Sequence, residues 1–161
     1  VEPDRVLRLA TTAVATQLGA APVSVFLLDS GRTRLEVLAE ADGGIVGDHE
    51  TLPVDRGLVG VVLATGQLVA VEDAASDARF ESAVDTPSDG VARPYLCMPI
   101  RLRGKVVGVL RVFPNEGQPA SPRTAEVLAA AFSAVVRNVL LYRSLLQSIE
   151  EVANARRQAR G

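Results

Sequence analysis

The chain has 161 residues, is 48% hydrophobic and 22% charged, and carries a formal net charge of −2. That length suits one domain with a real core, the balance is globular, and the near-neutral charge gives no electrostatic reason to expect nucleic acid. A single cysteine, Cys97, excludes an internal disulfide and fits a reducing, cytoplasmic setting. Residues 4–18 place Val6, Leu7, Ala10, Val14 and Leu18 at helical spacing, with Gly19 as a stop and Pro22 opening the next element. Residues 23–29, VSVFLLD, form a nearly continuous apolar run, as expected of a central strand. After a turn at Ser30-Gly31, residues 34–39 predict a second strand, paired with the first as a hairpin. Residues 42–50, opening on Asp42-Gly43-Gly44, read as a polar, glycine-rich loop.

Residues 52–73, LPVDRGLVGVVLATGQLVAVED, are the most informative stretch. Asp55 stands where a helix N-cap belongs and Gly57 permits a tight turn. Residues 58–65 predict a short helix, Gly66 fits the left-handed position that ends it, and residues 68–71 follow as a strand. A short buried helix whose first amides face inward is a place to hold a polar or anionic group, so this segment is expected to wall a small-molecule pocket. Residues 73–94 are long and polar, with Pro87 and Gly90 as breakers, and read as a functional loop with room for short helices.

Residues 95–102 and 106–113 predict two strands joined tightly at Arg103-Gly104-Lys105, with Pro99 marking a bulge or an unpaired amide. After a loop over 114–122, Ser121 caps a final helix that has Pro122 at its first position and runs towards Arg157. Leu128, Phe132, Val135, Val139, Tyr142, Leu146, Ile149 and Ala153 are spaced 4, 3, 4, 3, 4, 3, 4, a heptad stripe of the coiled-coil kind. Val127, Ala131, Val136 and Leu140 make a second apolar stripe, expected to pack on the sheet. The heptad stripe from Leu128 to Ile149 is accordingly expected to meet a partner helix in a homodimer; the alternative is that both stripes serve one monomeric core.

The order of elements predicts an α+β domain with a mostly antiparallel sheet and helices gathered on one face. No apolar run reaches the length of a membrane span and no signal peptide is recognisable, so no membrane partner is expected. Sixteen of the 17 basic residues are Arg and only Lys105 is Lys, which points to a GC-rich, bacterial coding bias before an arginine-based site. Because the chain starts at Val1, it is expected to be part of a longer protein or processed at its N-terminus.

The VSVFLLD strand, the unit DRGLVGVVLATGQLVAVED, Arg79-Phe80, the strand LCMPI and the strand KVVGVLRV together resemble a GAF domain over about residues 5–145. The resemblance implies a central sheet of about five to six strands, with the terminal helices on one face and a loop-and-helix lid over a ligand on the other. It implies a regulatory sensor of a signalling or transcription-regulating protein, with residues 1–145 as the sensor domain. Residues 146–161 would be a coiled-coil connector to an output domain, and dimers would form through the terminal helices. The sequence is similar in particular to the cyclic-nucleotide-binding branch. Matching that branch places Ser24 and Asp42 at base contacts, the amides of Leu58 and Val59 at a phosphate, and Glu81, Asp85, Ser88 and Ala92 on the lid. Glu81 replaces a usual aromatic, Ala92 replaces a usual hydroxyl, and PNEGQPASPRTAE keeps little of the branch's signature beyond Glu126. The ligand, and any cofactor, is therefore left open, and fold alone does not fix it.

Catalysis finds little support, since a nucleophile needs a base within reach. The single histidine, His49, lies between Asp48 and Glu50 in a polar loop and reads as solvent-exposed; the alternative is a haem or metal ligand, without a second His or Cys at metal spacing. Cys97 reads as an inert buried thiol; the alternative is a chromophore or redox attachment. The GAF branch that reduces free methionine sulfoxide uses several cysteines, and one cysteine cannot form an intramolecular disulfide. Asp77, Glu81, Asp85 and Asp89, spaced by four, read as charges of a solvated loop, the sharper alternatives being an amine-binding site or neutralisation by Arg79 and Arg93. The reading is a non-catalytic small-molecule sensor; its alternative is a ligand-free dimerisation module whose pocket is filled by its own side chains.

Overall fold

The structure is a computed structural model that describes residues 3–115 and 121–160; most of the loop expected over 114–122 lies outside them. The chain runs α1 (Pro3–Leu18), β1 (Ala20–Leu28), β2 (Arg34–Ala41), β3 (Thr51–Pro53), α2 (Gly57–Thr65) and β4 (Val69–Val71). A 3-10 turn (Ala74–Ser76), α3 (Ser82–Asp85), β5 (Tyr95–Leu102), β6 (Lys105–Pro114) and α4 (Pro122–Arg160) complete it. The strands form one six-stranded sheet in the order β3-β2-β1-β6-β5-β4, with every neighbouring pair antiparallel.

Side-chain alternation gives this sheet two buried faces. Val23 and Val25 of β1, Leu96, Met98 and Ile100 of β5, and Leu110 and Val112 of β6 pack against Leu7 and Val14 of α1 and Ala125, Phe132, Val136 and Val139 of α4. The intervening residues Phe26, Tyr95, Cys97, Val109 and Phe113 face Leu58, Val59 and Val62 of α2 and Val84 of α3. Two covered faces explain why the central strands are apolar runs without polar alternation.

The edge strand β3 was not expected; three residues are too few to show a period of two. The irregularity expected at Pro99 falls one step later, between Ile100 and Arg101, and Pro99 itself is in register with Val109. The β5–β6 connection is a two-residue turn at Arg103 and Gly104, both with positive φ, which matches the twist of an antiparallel hairpin. Ser121 does cap α4: its Oγ accepts from the Thr124 amide at 3.1 Å.

Three expectations about α4 are corrected. Phe132 and Val139 of the heptad stripe are buried in the chain's own core, with Leu128 and Val135 packed against it, because that half of α4 lies on the sheet. Tyr142, Leu146 and Ile149 lie beyond the sheet and are exposed. In the second stripe Val136 is buried, whereas Val127 is 63% exposed. Arg123–Arg160 is also long and apolar enough to cross a membrane by length and composition, contrary to the expectation that no stretch reaches that length. Phe132, Val136 and Val139 of that helix are buried in the chain's own core, while only 22% of its most apolar window is buried.

Candidate functional site

The lid side of the sheet holds a buried polar cluster. In β6, alternation turns Arg111 towards the lid between Val109 and Phe113, and the residue is fully buried. Its Nε donates to Asp48 Oδ2 at 3.1 Å, its Nη2 pairs with Asp48 Oδ1, and its Nη1 donates to the Val84 carbonyl at 2.7 Å. The guanidinium carbon lies 5.1, 5.6 and 5.9 Å from the ring centres of Phe113, Phe26 and Tyr95, within cation–π range. Burial opposes the charge on Arg111, but the Asp48 carboxylate outweighs it and raises the pKa above the ordinary arginine value.

Tyr95 stacks edge-on against Phe113 at 5.7 Å. Its Oη is buried without a hydrogen-bond partner: Arg111 and Cys97 are close enough to act on it electrostatically, yet neither satisfies hydrogen-bond geometry. Burial pushes the tyrosine pKa well above its usual value, and it pushes the neighbouring Cys97 thiol up to about 12, which keeps that thiol protonated and unreactive.

The first turn of α2 is also occupied. Asp55 is not its N-cap. That position is taken by Arg56, which caps with no side chain, and the carboxylate comes instead from Asp85 in α3. Both Asp85 oxygens accept from the Leu58 amide, at 3.0 and 2.9 Å, and Oδ2 also accepts from the Glu81 amide at 2.9 Å. A Cβ on Gly57, whose φ is +68°, would lie 2.7 Å from each of those oxygens, so this glycine is needed both for conformation and for room. Burial raises the Asp85 pKa, against the opposing pull of the Glu81, Leu58 and Val59 amides and of Arg111.

The loop 42–50 is tied to both the sheet and the lid. The Asp48 amide and the Ser24 hydroxyl donate to Glu40 Oε1, at 2.7 and 3.4 Å. Burial raises the Glu40 pKa. His49 Nε2 lies 3.0 Å from the Thr86 carbonyl, and the amide and hydroxyl of Ser88 donate to the Gly47 carbonyl at 2.9 and 2.7 Å. His49 is thus half-buried and pins the loop to the lid, contrary to its reading as a solvent-exposed residue. Among the described residues no group of three His, Cys, Asp or Glu is arranged to hold a metal.

Of the expected ligand residues, the structure gathers Leu58, Val59, Glu81 and Asp85 around the start of α2 and puts Ser88 beside the loop 42–50. Glu81 is half-buried, and its Oε2 lies 3.3 Å from Arg56 Nε without hydrogen-bond geometry. Ser24 is buried beside Glu40. Asp42 and Ala92 line separate exposed hollows, Asp42 with Thr12 and Thr16 of α1 and Ala92 with Ala74 and Pro94. The acidic residues spaced by four form no stripe, because α3 is only 4 residues long; Asp77 pairs with Arg79 and Asp89 with Arg93. Arg111, Asp48 and Tyr95 were not singled out from sequence, although a charged residue at a lid-facing position of VVGVLRVF was a usable signal. A wider hollow of about 590 Å³ lies on the other face, between β5 and α4, lined by Met98, Arg101, Ala130, Ser133 and Arg137. The unpartnered buried phenol and the buried charges lie on the lid side, and chemistry is better supported there.

A family model described as GAF domain matches residues 2–140. A probable 3',5'-cyclic phosphodiesterase, pde-5, of Caenorhabditis elegans is 32% identical over 101 residues, 55% of this chain and 14% of that protein. The cGMP-specific 3',5'-cyclic phosphodiesterase of Drosophila melanogaster is 32% identical over 81 residues, 50% of this chain and 7% of that protein. The match therefore spans only a small part of these relatives' length. Among solved structures, the GAF domain of an Acinetobacter phosphoenolpyruvate-protein phosphotransferase superposes with a TM-score of 0.69 at 26% identity, covering 88% of this chain and 86% of that one. A free methionine-R-sulfoxide reductase from Neisseria meningitidis, solved with its substrate, gives 0.69 at 17% identity over 87% and 81% of the two chains, a likeness of fold alone.

Proposed function

The chain belongs to the GAF domain family, and from that premise we propose that it senses a small molecule in the cleft between the sheet and the lid of residues 73–94. The observation that carries this reading is the buried cluster of Arg111, Asp48, Asp85 and Tyr95 in what would otherwise be an apolar core. Buried charges are costly and add little stability compared with well-packed apolar residues, so a role beyond stability accounts for them better. The lid is held largely by polar contacts, Asp85 to α2, His49 to Thr86 and Ser88 to Gly47, which a ligand can exchange for its own.

In this reading residues 1–145 are the sensor, and 146–161 continue α4 as a connector to an output domain of a cytoplasmic signalling or transcription-regulating protein. The lid residues Glu81, Asp85 and Ser88, the Leu58 and Val59 amides and Ser24 contribute to the ligand side. Tyr142, Leu146 and Ile149 form the exposed part of a homodimer stripe. Lid closure would have to favour one arrangement of the paired helices, because a ligand bound equally in both shifts nothing. The domain itself is read as non-catalytic, its one thiol being buried and protonated.

A second reading, a ligand-free dimerisation module, is favoured by the side chains already seated in the cleft. Thermal shift against cyclic nucleotides, amino acids and oxo-acids separates the two. The sensor reading expects a saturable rise in melting temperature with one of these classes; a flat response to all of them supports the module.

A further inference from the structure

We propose that Arg111 and Tyr95 form the anchor of a small monocarboxylate ligand, which binds by displacing the Asp48 side chain from the guanidinium; this rests on the sensor reading. Arg111 presents Nε and Nη2 side by side to the two oxygens of one carboxylate, the planar fork that suits a carboxylate. The carboxylate now in that fork comes from a loop and not from the sheet, so it is the exchangeable half of the pair. Replacing one carboxylate by another keeps Arg111 paired, and no buried charge is left uncompensated provided the displaced Asp48 carboxylate swings out to solvent with its loop.

Tyr95 Oη marks the second contact. It is a buried donor close to the guanidinium and the Cys97 sulfur but without a hydrogen bond of good geometry, and a group left in that state is expensive unless some state of the protein satisfies it. Phe26, Phe113 and the Tyr95 ring supply an apolar wall for a short alkyl or oxo-alkyl chain. Size and charge restrict the class further. Nη1 of Arg111 already donates to the Val84 carbonyl, and Asp85 is close enough to add its charge, so a dianion would meet more repulsion than a monoanion. Because Val84 and Asp85 belong to α3, a carboxylate on Arg111 would act on the lid directly, and the released Asp48 would loosen the loop that His49 and Ser88 tie to it.

The test is a titration of the whole chain with acetate, pyruvate and butyrate, read by melting temperature and calorimetry, with sodium chloride and methylamine at matched ionic strength as controls. The expected result is saturable stabilisation by carboxylates alone. Asp48→Ala, which removes the competitor, should bind acetate about tenfold more tightly. Tyr95→Phe should weaken binding about fivefold, the loss of one buried hydrogen bond. Carboxylates no better than chloride, or an unchanged affinity in Tyr95→Phe, would overturn the proposal; the Tyr95→Phe comparison decides even if Asp48→Ala does not fold. Stabilisation by cyclic nucleotides or amino acids with none by simple carboxylates would overturn this assignment and leave the sensor reading standing, whereas no response to any of these classes would remove both.

Discussion

Arg111 and Asp48 are 63 positions apart, and nothing local in either segment announces that they meet. Arg111→Met should destabilise the chain by about 3–5 kcal/mol, because Asp48 would be left buried and unpaired. Adding Asp48→Asn should recover part of that loss. Urea unfolding of the two single variants and the double variant gives the coupling, and strict additivity would show that the pair does not act as one unit. Asp85→Ala removes the acceptor of two amides and should cost about 1–3 kcal/mol by leaving them unsatisfied. The carboxyls also differ in the sign of their pH dependence. Burial raises Glu40 above its ordinary value of 4.5, so its contribution to stability is complete below that value and is lost as the pH climbs through the raised one. Glu40→Gln should remove that fall, measured as unfolding free energy against pH. Asp77 and Asp89, held at about 2 by Arg79 and Arg93, act in the opposite sense: their contribution is present above the ordinary 3.8 and fades as the pH drops towards 2.

At the level of elements, the sequence is most legible where pattern and chemistry are local. The apolar runs of β1, β5 and β6, the Ser121 cap and the Gly66 stop needed only neighbours a few residues away, and each is where it was expected. The start of α2 was misread for the opposite reason. Asp55 had the right chemistry at the right local position, but the carboxylate of Asp85, 27 residues beyond Leu58, reaches the Leu58 amide. α4 shows a related limit, since a heptad spacing states which residues share a face and not what covers it. The sheet covers Phe132 and Val139, and Val139 is the last buried residue of the helix. A chain ending at Leu141 should therefore keep nearly the full melting temperature. If the full chain dimerises through Tyr142, Leu146 and Ile149, as proposed, the truncated chain should sediment as a monomer. A truncated chain as dimeric as the full one would move the interface to α1 or to the groove beside β5.

For the molecule as a whole, the antiparallel sheet with terminal helices on one face and a lid on the other follows from the order of elements and their two-sided burial, and the family match agrees with it. The contents of the cleft do not follow. Of the positions carried over from the cyclic-nucleotide branch, Leu58, Val59, Glu81 and Asp85 gather at the start of α2 and Asp42 and Ala92 lie apart, while Arg111, its three rings and two carboxylates fill the space under the lid, an arrangement made by long-range contacts between the sheet and two loops. A cleft so filled supports a ligand that takes the place of a side chain more readily than one as large as a nucleotide. Native mass spectrometry of the protein as purified from cells tests the sensing claim most directly. The account predicts a small-molecule adduct at one per chain, lost on gentle activation and diminished in Arg111→Met; only the bare polypeptide mass, before and after incubation with carboxylates, would contradict it.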